Sequence, residues 1–263
     1  MTTETAATSK SKRRVWILAL VIGGGLLGLV VFIGVPLLLL VPLDRAVTAV
    51  RKANTATRIA AIQTGLDAFR QDFEAYPPSK PTDRLRHTHG YEILGECLRG
   101  PEGRGWGAAA GGRLPFGQVS NLRTYGPYYV DENQQAASAE VAAPGELAGP
   151  AIYDAFPSPR RPILYFRYDP DQDPPYDVHD NPVDPTCRRG FAGQEHFGLT
   201  ATYRTPDGRV KWHREDYLLI SPGEDRRYGR VVENVETGEV RPATPRDGSL
   251  SRRTRCDDIT NFN

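Results

Sequence analysis

Apolar residues follow three regimes along this chain, and each predicts a different element. Val15 to Val41 spans 27 positions without a charge, more than the roughly 20 apolar residues a helix needs to cross about 30 Å of hydrocarbon. The run predicts a transmembrane helix over 15–43. Lys10, Lys12, Arg13 and Arg14 precede it, opposed only by Glu4, so the positive-inside rule keeps a basic tail, 1–14, cytoplasmic and places the rest outside. A cleaved signal peptide is the competing reading, but its apolar core is only about 7–15 residues long.

From Asp44 the period changes. Ile59, Ile62, Leu66, Phe69, Phe73 and Tyr76 recur every three or four positions, while Arg58, Asp67, Arg70, Gln71 and Glu74 fall mostly on other faces. This is the pattern of an amphipathic helix with one buried stripe. Pro77-Pro78 stops it, which predicts a helical stem over 44–78, near 50 Å long for about 33 residues at 1.5 Å each. Beyond Pro78 periodicity fades. Apart from a short amphipathic piece, Tyr91 to Leu98, residues 79–160 read as an irregular connecting region rich in Gly, Ala and Pro. Strand signals then appear at Ile163–Tyr168, Leu199–Arg204 and Tyr217–Ser221, and Asp207-Gly208 supplies a tight turn that makes two strands antiparallel. Residues 161–263 are thus expected to form an antiparallel sheet with a C-terminal loop, and 44–263 one ectodomain.

Composition narrows the function. Of 263 residues 39% are apolar and 25% charged, enough to bury a core, and 26 Gly with 22 Pro predict long loops. Lys plus Arg number 33 against 32 acidic residues, a net charge of +1 that offers no polyelectrolyte footprint for nucleic acid. Three cysteines, Cys97, Cys187 and Cys256, lack zinc-site spacing and allow at most one internal disulfide; Cys187 and Cys256 are the pair to test in an oxidising compartment. His87, His89, His179, His196 and His213 are scattered, without a metalloprotease helix, nucleophile elbow or phosphate loop. The expectation is no enzyme and no small-molecule substrate.

Three segments carry a family resemblance. The hydrophobic helix runs into TRIAAIQTGLDAFRQDFEAYPPS at Thr57–Ser79, and downstream stand YLLISPGEDRRYG at Tyr217–Gly229 and CDDITNF at Cys256–Phe262. Together, over 15–79 and 216–262, they make the chain resemble the major pseudopilin of type II secretion systems, within the type IV pilin-like superfamily. The resemblance implies an α+β, pilin-like fold: a long N-terminal helix, transmembrane then amphipathic, packed on a small antiparallel β-sheet. It further implies a single-pass protein of the bacterial inner membrane, with a periplasmic ectodomain that assembles with its own copies, other pseudopilins and secretion-system components. Two features depart from the family. No Glu occurs between Glu4 and Glu74, where members bury one in the mature helix, and cleavage after Gly25 leaves only 18 residues before Asp44. A permanently anchored subunit or a different processing rule follows. The alternative is an anchored envelope binding or sensor module that does not polymerise.

The resemblance also places calcium in the last loop, with Asp225, Asp257 and Asp258 as ligands and backbone oxygens near Ser221 completing the shell. Hard carboxylate oxygens suit that ion. A second acidic run, Asp169 to Asp184, starts like an EF-hand but carries Pro174 where the turn needs Gly and Asp180 where it needs a bidentate Glu; it reads as a solvated loop.

Overall fold

The computed structural model describes residues 43–111, 114–115, 123–130, 150–157, 160–184, 186, 188–229, 231–234, 240–242, 252–255 and 258–262. The expected transmembrane segment lies almost wholly outside them. By compactness the chain divides after Val50, and all packing given below lies within residues 51–263.

The stem is a helix, α1, over residues 43–73. It ends where Glu74 turns to φ 60°, a left-handed residue whose N–H still donates to the Arg70 carbonyl at 2.7 Å; Pro77-Pro78 then bar continuation. Its stripe is buried as the spacing requires, with Ile59 3% exposed and Ile62, Leu66 and Phe69 fully enclosed. A second helix, α2, covers Gly90–Arg99 and includes the amphipathic Tyr91–Leu98. Its Gly95 is a contact requirement: a Cβ there would stand 1.8 Å from the Pro150 carbonyl oxygen. A third, α3, covers Gln194–Ala201, so Leu199–Ala201, expected as strand, is helical, and only Thr202–Arg204 is extended.

Ten short strands make four antiparallel sheets among the described residues. In the central one, β6 (Tyr217–Ser221) lies between β3 (Leu164–Arg167) and β10 (Ile259–Thr260), with Tyr165 opposite Leu219 and Ile259 opposite Ser221. The others are β1 (Trp106–Gly107) with β2 (Thr124–Tyr125), the hairpin β4 (Thr202–Arg204) with β5 (Val210–Trp212) around Asp207-Gly208, and β7 (Val231–Asn234) between β8 (Val240–Pro242) and β9 (Arg252–Arg255).

This arrangement overturns the pilin-like plan of one long helix on one small sheet. There are three α-helices among the described residues, and strands of two to five residues, broken by turns, stay in separate sheets. The long helix is not apolar enough for a membrane span: Asp44, Arg45, Arg51, Lys52, Arg58, Asp67, Arg70 and Asp72 interrupt it. Among the described residues no helix is long and apolar enough to cross a membrane.

The central sheet is buried on both faces. Along β3 and β6, Tyr165, Tyr217 and Leu219 enter one core with the α1 stripe and with Ile93, Leu94, Cys97 and Leu98 of α2. The alternate residues, Leu164, Phe166, Leu218 and Ile220, enter a second core with Tyr176, Phe191, Phe197 and Tyr228. Side chains alternate across a strand, so a strand buried on both sides reads as a near-continuous apolar run; Tyr217–Ile220 does, and the one polar residue, Ser221, hydrogen-bonds Asp154. The stem is fastened as well as packed: Arg58 Nη1 donates to the Tyr153 and Asp154 carbonyls at 2.8 Å each, and buried Thr55 accepts the Ala155 N–H through Oγ1 at 3.1 Å.

Candidate functional site

Pairing of β10 with β6 builds the candidate site. Because Ile259 stands opposite Ser221 in an antiparallel ladder, Asp258 and the turn that follows Ser221 leave the sheet at the same end. Asp225 lies in that turn, its Oδ1 accepting the Arg227 N–H at 2.8 Å. Asp258 reaches the same turn, its Oδ2 accepting the Gly229 N–H at 2.8 Å and the Thr200 hydroxyl at 3.5 Å. The other oxygens, Oδ2 of Asp225 and Oδ1 of Asp258, are buried atoms. Two of the three predicted calcium ligands thus converge on one turn through long-range pairing; Asp257 lies outside the described residues. Ser221 directs its hydroxyl elsewhere, donating to Asp154 Oδ2 at 3.3 Å and accepting from Gly223 N–H at 3.3 Å. Among the described residues no group of three or more His, Cys, Asp or Glu is arranged to hold a metal. The donor set present, carboxylate oxygen without nitrogen or sulfur, is of the kind calcium accepts.

Sequence reasoning missed Asp154. It is 1% exposed, and burial pushes its carboxyl up to about 6 against the lowering effect of hydrogen bonds from Phe156 N–H and Ser221. Nothing in the local sequence marks it, because its environment is made by Thr55, Arg58 and Ser221, all distant along the chain. Asp180, in the second acidic run, is likewise buried, accepts the Ser79 hydroxyl, and is raised to about 6 by burial. The rest of that run folds on itself: Asp169 Oδ1 accepts the Asp171 N–H at 3.1 Å and Asp177 Oδ1 the His179 N–H at 2.9 Å. Ser79, Lys80, Tyr168, Asp169, Asp177 and Asp180 line a polar cleft of about 400 Å³ beside it.

The histidines stay apart. His89 stacks on Tyr91 at 5.8 Å, His196 is buried beside Phe191, and His213 packs on Phe262 at 4.1 Å, where burial lowers its affinity for a proton. Cys97 is a free thiol, buried, and burial raises its pKa well above the ordinary value, so it is held in the unreactive protonated form. Cys187 and Cys256 lie outside the described residues. No family model matches the chain, and neither the curated proteins nor the solved structures contain a significant match to it.

Proposed function

We propose that this chain is a membrane-anchored structural subunit of a bacterial envelope assembly of the type II secretion or type IV pilus kind, with a C-terminal loop stabilised by calcium. The proposal concerns the role and not the fold, which departs from the pilin-like plan. The observation that carries it is the embedding of the stem: residues 51–73 follow shortly after the apolar run and bury Ile59, Ile62, Leu66 and Phe69 in the domain core. Residues 51–73 of the stem are thereby held to the central sheet through packed side chains. Residues 1–14 stay in the cytoplasm, the ectodomain lies beyond the inner membrane, and the partners are the membrane, further copies of the chain and other assembly components.

Asp225 and Asp258, with Asp257 next to it in sequence, would hold calcium, and the ion's positive charge would offset their carboxylates. Asp258 sits next to β10 and Asp225 follows β6, so the two carboxylates tie the C-terminal segment to the central sheet. Such binding stabilises the folded state with the logarithm of ion concentration over its dissociation constant. The melting temperature of the full chain in detergent is expected to rise in calcium and fall in chelator, and equal melting removes the calcium part of the proposal. Chemical cross-linking in native membranes is expected to yield multimers; a chain that stays monomeric, with an intact Met1 or Thr2 terminus by mass, supports the second reading. That reading is an anchored envelope binding module, favoured by the polar cleft beside Asp180.

A further inference from the structure

Where the stem has ended, a cleft of about 400 Å³ opens between residues 78–80, the end of β3 and the acidic run. Hydrogen bonds between separate segments fix its walls. The Tyr165 hydroxyl of β3 donates to the Pro77 carbonyl at 2.7 Å, the Ser79 hydroxyl donates to Asp180 Oδ2, and Asn181 donates to the Tyr165 carbonyl at 2.8 Å. The acidic run is closed on itself, the Asp169 N–H donating to the Pro175 carbonyl at 2.9 Å. The cleft is therefore formed before any ligand arrives, which lowers the ordering cost of binding.

Its lining carries both signs of charge. Arg167, exposed at the end of β3, is part of it, and among the described residues its guanidinium makes no hydrogen bond or ion pair. Asp180 lines the cleft although only 4% exposed, and Asp169 lines it at the start of the acidic run. Asp180 receives Ser79 on Oδ2 and Asp169 receives the Asp171 N–H on Oδ1; among the described residues nothing is bonded to the second oxygen of either. The loop already takes one ammonium, since Lys80 Nζ stands 3.5 Å from Asp177 Oδ2 and 3.4 Å from Gln172 Oε1. With that pair engaged, one guanidinium and two carboxylates with an oxygen to spare face the same space. Small-ligand sites are pockets of about 300–1,000 Å³ with a few placed polar groups. A guanidinium takes a carboxylate through two parallel N–H groups, and a carboxylate takes an ammonium through charge-assisted hydrogen bonds. Pro78, Tyr168, Pro170 and Pro175 complete the lining with surface suited to a short aliphatic body.

We propose that the cleft binds a small zwitterion of the amino-acid or short-peptide class, its carboxylate on Arg167 and its ammonium on Asp180 and Asp169. A purely anionic ligand would meet the carboxylates of Asp169, Asp171, Asp177 and Asp180, and a purely cationic one would leave Arg167 unmatched. The inference rests on the cleft that the binding-module reading invokes, and it is independent of calcium and of the assembly role.

The test is calorimetric titration of the full chain in detergent with L-alanine and with L-alanyl-L-alanine, at about pH 7, above the value of about 6 to which burial raises Asp180. Saturable binding is expected for at least one of them. The tighter binder is then compared with its N-acetyl form, which lacks the ammonium, and its amide, which lacks the carboxylate; each is expected to bind about tenfold or more weakly. Arg167→Gln, at an exposed position where folding is not at stake, is expected to weaken the zwitterion about tenfold and leave the amide unchanged. Asp180→Asn is expected to weaken the zwitterion and leave the N-acetyl form unchanged. Arg204→Gln, an exposed arginine on β4, is expected to bind as the parent does. No saturable binding, equal binding of the blocked forms, or equal binding by the parent and Arg167→Gln overturns the proposal. Cross-linking reads the other question apart: saturable binding by a chain that forms multimers removes the binding-module reading and leaves the ligand of the cleft standing.

Discussion

The two faces of the central sheet are covered by different material to the same depth. One face lies under α1 and α2, whose apolar residues recur at helical spacing. The other lies under loops and the eight-residue α3, where aromatic rings replace periodicity: Phe166, Phe191 and Phe197 meet at centroid distances of 4.5 to 6.1 Å. Aromatic side chains bury large areas per residue, so a few rings placed by irregular backbone cover what two helices cover elsewhere. The cost is polar. Buried backbone needs partners, and side chains of this cover supply some: Asn181 accepts the N–H of Tyr91, in the first turn of α2, at 3.0 Å and donates to the Tyr165 carbonyl of β3 at 2.8 Å, while Gln194 accepts the Val178 N–H at 3.0 Å. The orphan N–H groups of a helix start are met from the other cover.

The largest test of this equivalence truncates one ring on each side. Phe69→Ala and Phe197→Ala are each expected to cost about 3–5 kcal/mol in urea unfolding, the range for a fully buried phenylalanine. A loss under about 1 kcal/mol at Phe197 alone would mean that the loop-covered face collapses freely and is not an equivalent core.

Each cover also carries one buried carboxyl raised to about 6, Asp154 beside the stem and Asp180 beneath the acidic loop. A raised carboxyl pKa means that between about pH 4 and 6 the folded state holds a proton the unfolded state has released. Stability is therefore expected to fall as pH rises through this window. Asp154→Asn and Asp180→Asn should each remove part of that slope, up to about 3 kcal/mol per group at one pKa unit per 1.36 kcal/mol. An unchanged slope in the double variant would place the titration elsewhere.

The borrowed partners come next. Asn181→Ala leaves the Tyr91 N–H and Tyr165 carbonyl without their side-chain partner, and a loss of about 1–3 kcal/mol is expected. A comparable loss is expected where close backbone approach forbids a side chain, at Gly95 under the helical cover and Gly190 under the loop cover. An added Cβ would stand 1.8 Å from Pro150 O at Gly95 and 1.7 Å from Pro182 O at Gly190, and overpacking of this kind costs about 1–3 kcal/mol. Equal effects in Gly95→Ala and Gly190→Ala would show that the loop cover is as rigid as the helices. The smallest effect belongs to neither face: Arg209→Gln removes the exposed ion pair to Asp207 on the β4–β5 hairpin and is expected to leave the unfolding midpoint where it was.

How much was legible follows the same division. The stem could be read because its burial is encoded in one period, Ile59 through Phe69, and its end in Pro77-Pro78. YLLIS was readable as a strand, though only the fold shows that its two faces serve two cores. The helix over Gln194–Ala201 was read in part as strand, since Leu199 to Arg204 alternates locally and α3 owes its place to Phe197 packing on Phe166 rather than to its own pattern. At the site, Asp225 and Asp258 were chosen through a resemblance, and their convergence rests on the β6–β10 ladder. Asp154 left no local trace, because the groups around it come from distant segments.

Sequence alone therefore determined the elements whose stability is periodic or punctuated: the uncharged run, the amphipathic stem, the Asp-Gly hairpin and the strand Tyr217–Ser221. Tertiary structure decided how many sheets form, which helix covers which face, and which charged groups are buried together. The physical reason is range. Amphipathic period and turn chemistry act within a few residues, whereas desolvation, charge convergence and the satisfaction of buried backbone depend on segments about a hundred positions apart, such as Thr55 with Ala155 and Ser79 with Asp180.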